Sequence, residues 1–213
     1  DIEAAAEAVS TGVGPLRGRL RISAAVVFAH AHLPAIATAF IQLHPGVELD
    51  VVADDGMVDL VESDFDIVIR ANPDPMAQLV GKCIVRTERV AVAAPDHPLP
   101  QPSEAWPAVL RSGERSVAAW QLESDSGLRE IRLRPAIRFS TLLMIRDAVL
   151  HGAGVALLPR TLVEDDLRAG RLTLWGVEAG GSTEIWVLHA SRRLVSAKAT
   201  AFLRHLEAHF PGG

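Results

Sequence analysis

The sequence predicts an α/β protein of two lobes joined by two crossings, with the ligand site in a cleft between strand ends. Three observations lead there. Short apolar strands alternate with helix-period segments over the first part of the chain, and the alternation resumes in the second part. Between them Pro95, Pro98, Pro100, Pro102 and Pro107 crowd one stretch, the mark of a stiff surface connection between domains. The length of 213 residues at 49% hydrophobic content is enough for two apolar cores.

Taken in order, residues 1–9 carry Ile2, Ala5, Ala6 and Val9 at helical spacing, as at the end of an amphipathic helix cut from something longer. Gly12, Gly14 and Pro15 break it. A first strand is expected at 20–25 and a helix at 32–43, with Pro34 in an early turn and His44-Pro45-Gly46 as the stop. A strand at 47–53, a helix at 57–63 and a strand at 66–71 follow, then strands at 79–85 and 89–94. The spacing implies a mostly parallel sheet with right-handed crossovers.

The second lobe is expected to hold strands at 116–121 and 136–139, a helix at 141–151, a strand at 154–158, a helix at 160–169 and a strand at 171–175. Glycines at 176–181 then break the chain before a strand at 184–190 and a closing helix at 196–210. The expected division is 1–16 as the end of a linker helix and its connection, 17–95 with 184–213 as lobe I, and 98–180 as lobe II.

Arg70 is the most informative single residue. It ends the run Phe65-Asp66-Ile67-Val68-Ile69-Arg70, whose unbroken apolar stretch reads as a strand covered on both faces. A guanidinium at the carboxyl end of such a strand stands where open α/β sheets meet their ligands. Two turns add donors: Ser23-Ala24-Ala25-Val26 after the first strand, and Phe139-Ser140-Thr141 opening the second lobe's helix. Helix N-termini present unpaired N–H groups and a partial positive charge, so such turns hold carboxylates. Each feature also has a plain structural use: Ser140 and Thr141 cap their helix, and Arg70 forms an ion pair.

Other chemistry finds no footing. A net charge of −5 gives no basic surface for phosphate backbones. The single Cys83 sits in an apolar context as a buried thiol. His30 and His32 fall on different helix faces, and His205 and His209 on a solvated face without a zinc motif. Gly152 and Gly154 close a helix rather than open one, so they read as C-capping glycines. Asp165 and Asp166 read as solvated helix charges, and no acid–base pair stands out, so no catalytic residue, cofactor or metal is expected. No run approaches the roughly 18 uninterrupted apolar residues of a membrane helix.

The order of blocks resembles the effector-binding domain of LysR-type transcriptional regulators. Gly18-Arg19-Leu20-Arg21-Ile22-Ser23, Leu33-Pro34, Phe40, His44-Pro45 and Val47-Glu48-Leu49 carry it, followed by Val58-Asp59-Leu60 and the Phe65 to Arg70 strand. It continues through Ala94-Pro95, VLHGAGVALLP ending at Pro159 and LRAGRL ending at Leu172, and covers about residues 17 to 210.

The resemblance implies a two-lobed, periplasmic-binding-protein-like (type II) fold of two Rossmann-like subdomains. It implies a non-enzymatic sensor of a small, anionic metabolite, a homodimer or homotetramer in the cytoplasm, with DNA bound only through an N-terminal winged helix-turn-helix that this chain lacks. The effector-binding residues it implies are Ser23, Ala24, Ala25, Val26, Asp54, Asp55, Arg70, Phe139, Ser140 and Thr141. Asp54 and Asp55 would oppose a dianion, which favours an effector with one acidic group or some basic character. A periplasmic solute-binding receptor of the same fold is the alternative. An upstream helix-turn-helix or an export signal would tell the two apart.

Overall fold

The structure, a computed structural model, describes residues 15–56, 64–73, 79–98, 101, 104–114, 118–124, 127–190 and 195–211. The expected helices at 1–9 and 57–63 lie outside the described residues. The elements are β1 (Gly18–Ala24), α1 (Val26–Leu43), β2 (Val47–Ala53), β3 (Ile67–Ala71), β4 (Leu79–Ala93), β5 (Ala105–Arg111), β6 (Ala119–Ser124), β7 (Gly127–Phe139), α2 (Leu142–Leu150), β8 (Ala156–Pro159), α3 (Arg160–Arg168), β9 (Thr173–Ala190) and α4 (Ala197–Ala208). They form two units: Asp1–Val85 with Glu184–Gly213, and Arg86–Thr183.

In the first unit β1 lies between β2 and β3, parallel to both, and β9 runs antiparallel to β3 with Arg70 opposite Trp186. Leu20, Ile22, Ile67 and Ile69 are fully buried, as an apolar strand run covered on its faces requires. Phe28, Leu33, Ile36 and Phe40 of α1 and Phe202 and Leu206 of α4 join the same core. Phe40 and Phe202 meet edge to face at 5.2 Å.

Helix α1 begins at Val26, six residues before the expected start, and places Pro34 in its interior. Pro34 gives no N–H to the carbonyl four residues back, and the helix continues because its packed face outweighs that loss. α1 is also the one helix among the described residues that is long and apolar enough to cross a membrane. His30, His32 and Gln42 interrupt it, and Phe28, Ala29, Leu33, Ile36 and Phe40 are buried in the unit's own core.

His205 departs from the expected solvated face. Its Nε2 lies 3.2 Å from the Ile36 carbonyl and its ring packs on Phe40, while His209 stays exposed. His205 follows Phe202 by three residues, which puts both toward α1.

The second unit is a mixed sheet rather than a mostly parallel one. β4 pairs antiparallel with β8, β6 antiparallel with both β7 and β9, and β5 parallel with β7. A bridge from Ala108 to Val155 joins β5 back to β8. One apolar cluster, Val90, Val92, Ile145, Val149, Leu158 and Val163 among others, packs strands against α2 and α3. The other gathers Trp106, Trp120 and Trp175 with Ala91, Ala93, Ala108, Ile131 and Leu133.

Three features differ from expectation. β5 runs through Pro107, read as part of a surface connection. The Pro107 carbonyl accepts from Val155 N–H, and the missing N–H lies on that same side of the strand, so the pairing with β7 loses no donor; the β7 register shifts between Ala108 and Val109. β4 is one strand across 79–93, and its Arg89 to Val92 portion pairs with β8, so residues 86–95 fall in the second unit instead of lobe I. β9 likewise continues through the glycines at 176–181. Gly176 takes up positive φ where a Cβ would come 2.8 Å from the Glu123 carbonyl, so Gly176 permits a close strand approach, and the strand runs on unbroken through the glycines.

Candidate functional site

The first unit brings together seven of the residues singled out from the sequence. Ser23 and Ala24 end β1, Ala25 and Val26 open α1, Asp54 and Asp55 follow β2, and Arg70 stands near the end of β3. The parallel register aligns these ends: Ala24 lies opposite both Ala53 and Ile69.

Arg70 is held on three sides. Its Nη2 donates to Ser23 Oγ at 2.7 Å, its Nη1 to the Ile69 carbonyl at 2.9 Å and its Nε to the Gly56 carbonyl at 3.2 Å. Those bonds use three of the five guanidinium N–H groups and leave two for another acceptor. Burial pulls the Arg70 pKa down, and the negative charges of Asp54 and Asp55 act against that. Ser23 itself is fully buried, so its hydroxyl positions the guanidinium.

The backbone donors expected here are committed within the protein. Ala25 N–H donates to the Ile69 carbonyl at 2.8 Å, and Asp54 N–H to the Ala24 carbonyl at 2.9 Å. Val26 N–H, in the first turn of α1, donates to Asp55 Oδ1 at 2.9 Å. A carboxylate at a helix N-terminus is stabilised by that end's partial positive charge. Asp54 Oδ1 accepts from Gly56 N–H at 2.8 Å, closing the Asp54-Asp55-Gly56 turn. Gly56 and Ile69 were missed as carbonyl partners of Arg70. The turn-forming Asp-Asp-Gly sequence directly after a strand was the available signal.

In the second unit Phe139 ends β7, half-buried, and Ser140 is exposed. Thr141 is the N-cap of α2, its side-chain oxygen accepting from Met144 N–H at 3.3 Å. Thr141→Ala is expected to lower stability by about 1 kcal/mol, read as a thermal midpoint roughly 2–4 °C lower. At the other end Gly152 N–H bonds to the Val149 carbonyl and Ala153 N–H to the Ala148 carbonyl, with Gly152 at φ +79°. That is a Schellman ending, and it accounts for the first of the two glycines.

Cys83 is buried, and no group of three or more His, Cys, Asp or Glu that could hold a metal ion occurs among the described residues. The arrangement as a whole is one of strand ends around a tethered guanidinium beside two carboxylates, in a sheet-based α/β class of fold.

Comparison with known proteins gives this class its family. The model of the LysR substrate binding domain matches residues 3–211. The chain is 29% identical to the HTH-type transcriptional regulator PtxR of Pseudomonas aeruginosa over 209 residues, covering 92% of this chain and 65% of PtxR. It is 24% identical to the regulator DmlR of Escherichia coli, covering 91% of this chain and 66% of DmlR. The regulatory domain of CrgA from Neisseria meningitidis superposes with a TM-score of 0.78 at 21% identity, covering 92% of this chain and 100% of that one. The chain belongs to the LysR substrate-binding domain family, whose fold is of the two-lobed, type II periplasmic-binding-protein kind. It is an effector-sensing regulatory domain rather than a periplasmic receptor, and its family is not enzymatic. It spans about two thirds of the length of these curated relatives.

Proposed function

We propose that this domain senses a small organic acid with one acidic group, its carboxylate received by the two remaining N–H groups of Arg70. The observation that supports this reading is the tethering of Arg70 by Ser23, Ile69 and Gly56, which orients a charged fork in advance of any ligand. Asp54 and Asp55 put two negative charges beside that one positive charge. A dianion is therefore disfavoured, and an amino or amide donor on the effector is favoured. The family resemblance adds Phe139, Ser140 and Thr141 as further effector contacts, and Ala24, Ala25 and Val26 as the wall beside Arg70.

In the intact cytoplasmic regulator, a homodimer or homotetramer, effector binding shifts the balance between two arrangements of the protein. DNA is bound by a winged helix-turn-helix outside this chain. The shift cannot exceed the effector's differential affinity for the two arrangements.

A thermal-shift screen of monocarboxylate metabolites on the wild type and Arg70→Ala tests the reading. A ligand at a hundred times its Kd adds about 2.7 kcal/mol, a rise of roughly 5–11 °C, to the wild type, and the variant should show little of it. A monocarboxylate that stabilises both proteins equally would remove Arg70 from the site.

A further inference from the structure

Among its described residues the second unit encloses three side-chain nitrogens with no hydrogen-bond partner: Nδ1 of His97, Nε1 of Trp106 and Nε1 of Trp175. The buried Oε2 of Glu178 is also unbonded but has Arg89 Nε at 3.3 Å as an ionic neighbour. The three rings form a chain. His97 meets Trp106 edge to face at 5.5 Å, and Trp106 meets Trp175 edge to face at 5.1 Å. Trp106 exposes 9% of its surface and Trp175 3%, whereas His97 is half-buried at the outer end. Buried indole N–H groups ordinarily find an acceptor, so two orphans in one cluster, with an imidazole nitrogen beside them, call for an occupant.

We propose that His97, Trp106 and Trp175 form a second ligand site, for a planar, neutral molecule carrying a carbonyl or similar hydrogen-bond acceptor. Indole nitrogens only donate, so the occupant must accept. The buried apolar residues around the two tryptophans include Ala91, Ala93 and Ala108, the smallest side chains a packed wall can carry. The two indole N–H groups are neutral, and the desolvation of a carboxylate would exceed what two neutral donors return. A carbonyl loses far less hydration. Edge-to-face rings favour a flat molecule. A Cβ at Gly152 would stand in ordinary contact with the imidazole, 3.5 Å from Cε1, so His97 packs against that turn at the outer end of the ring chain.

This site is independent of the Arg70 reading, and the test keeps them apart. Tryptophan emission of the whole 213-residue chain is titrated with benzamide, with toluene and benzoate as comparators. Benzamide should quench saturably, and toluene and benzoate should bind at least about tenfold more weakly. Trp106→Phe keeps a ring and removes the N–H, so it should weaken benzamide roughly tenfold and leave toluene unchanged. His97→Leu, at the half-buried end, gives a second variant that leaves the tryptophan core in place and should also weaken benzamide. Arg70→Ala should leave the titration as in the wild type. Four outcomes overturn the proposal: no saturable quenching, equal response to toluene and benzamide, affinity unchanged in both Trp106→Phe and His97→Leu, or loss of the response in Arg70→Ala.

Discussion

Asp166→Asn should lower the stability of the second unit by about 3 kcal/mol, a thermal midpoint roughly 6–12 °C below wild type. Asp166 is 1% exposed, and both its oxygens are engaged: Oδ2 accepts from Arg146 Nε at 2.6 Å, and Oδ1 from Arg171 Nε at 2.8 Å and Nη2 at 2.7 Å. Its carbonyl accepts from Arg171 and Leu172 N–H as well, so one residue ties the end of α3 to the start of β9 and, through Arg146, to α2. Arg171 is 54% exposed and can rehydrate when its partner is lost, which holds the estimate at the lower end of the range for broken buried pairs. Burial by itself raises the Asp166 pKa, but the hydrogen bonds and charges of Arg146 and Arg171 outweigh it, and the carboxyl sits below its ordinary value. A depressed folded-state pKa contributes stability that is complete above the unfolded-state value and disappears as pH falls through the folded one. The gap between wild type and Asp166→Asn should accordingly stay constant above about pH 5 and close below about pH 4. Melting curves followed by tryptophan emission across that interval decide it, and a gap that does not narrow in acid would refute the ion-cluster account.

Asp166 also shows where sequence reasoning stops. Asp165 and Asp166 look alike in the chain, and only Asp165 is solvated. The difference follows from helix phase, since Asp166 lies three residues after the fully buried Val163 and shares its face. The partners that make burial tolerable, Arg146 and Arg171, come from other elements, and no local pattern announces them. β5 was hidden for a related reason. Pro107 ordinarily argues against a strand interior, and its acceptance depends on its missing N–H facing the Val155 side and not β7, which is defined only once both neighbours of β5 have been paired. The strands of the first unit, by contrast, were legible because Ile67, Val68 and Ile69 are apolar without interruption and stop at a charge.

For the candidate site the sequence located the residues better than it located their bonds. Strand ends announce themselves through composition, and Arg70, Ser23 and the two aspartates do lie close together in the first unit. That Val26 N–H is already taken by Asp55, and that Ser23 serves Arg70 from a fully buried position, depends on parallel register across three strands. The consequence is chemical: the α1 terminus carries its own carboxylate, and the tethered Arg70 guanidinium is the cationic group of this cluster. The tryptophans are a second case, because Trp106 and Trp175 are far apart in the chain and meet only through strand pairing.

Gly154→Ala is expected to be still more damaging than Asp166→Asn, at about 4 kcal/mol, or roughly 8–16 °C in the midpoint. Gly154 has φ +136°, a conformation that L side chains rarely adopt, and a Cβ there would come 2.1 Å from the Pro107 carbonyl oxygen and 2.8 Å from its carbon. That carbonyl has a task of its own. It accepts from Val155 N–H at 2.9 Å, and Val109 N–H donates to the Val155 carbonyl at 2.9 Å, so the two bonds form the bridge between β5 and β8. Making room for a methyl group means shifting Pro107 and breaking that bridge, with Ala108, Val109 and Val155, all nearly or fully buried, moved along with it. Gly170→Ala supplies the control. Gly170 also has positive φ, at +67°, but nothing lies within 4 Å of its Cβ position, so its cost is conformational alone, about 1–2 kcal/mol. Trp106, Trp120 and Trp175 lie in the second unit, so their emission reports its unfolding directly. A Gly154→Ala midpoint close to that of Gly170→Ala would show that β5 and β8 can separate at little cost, and that the bridge does not hold this sheet together.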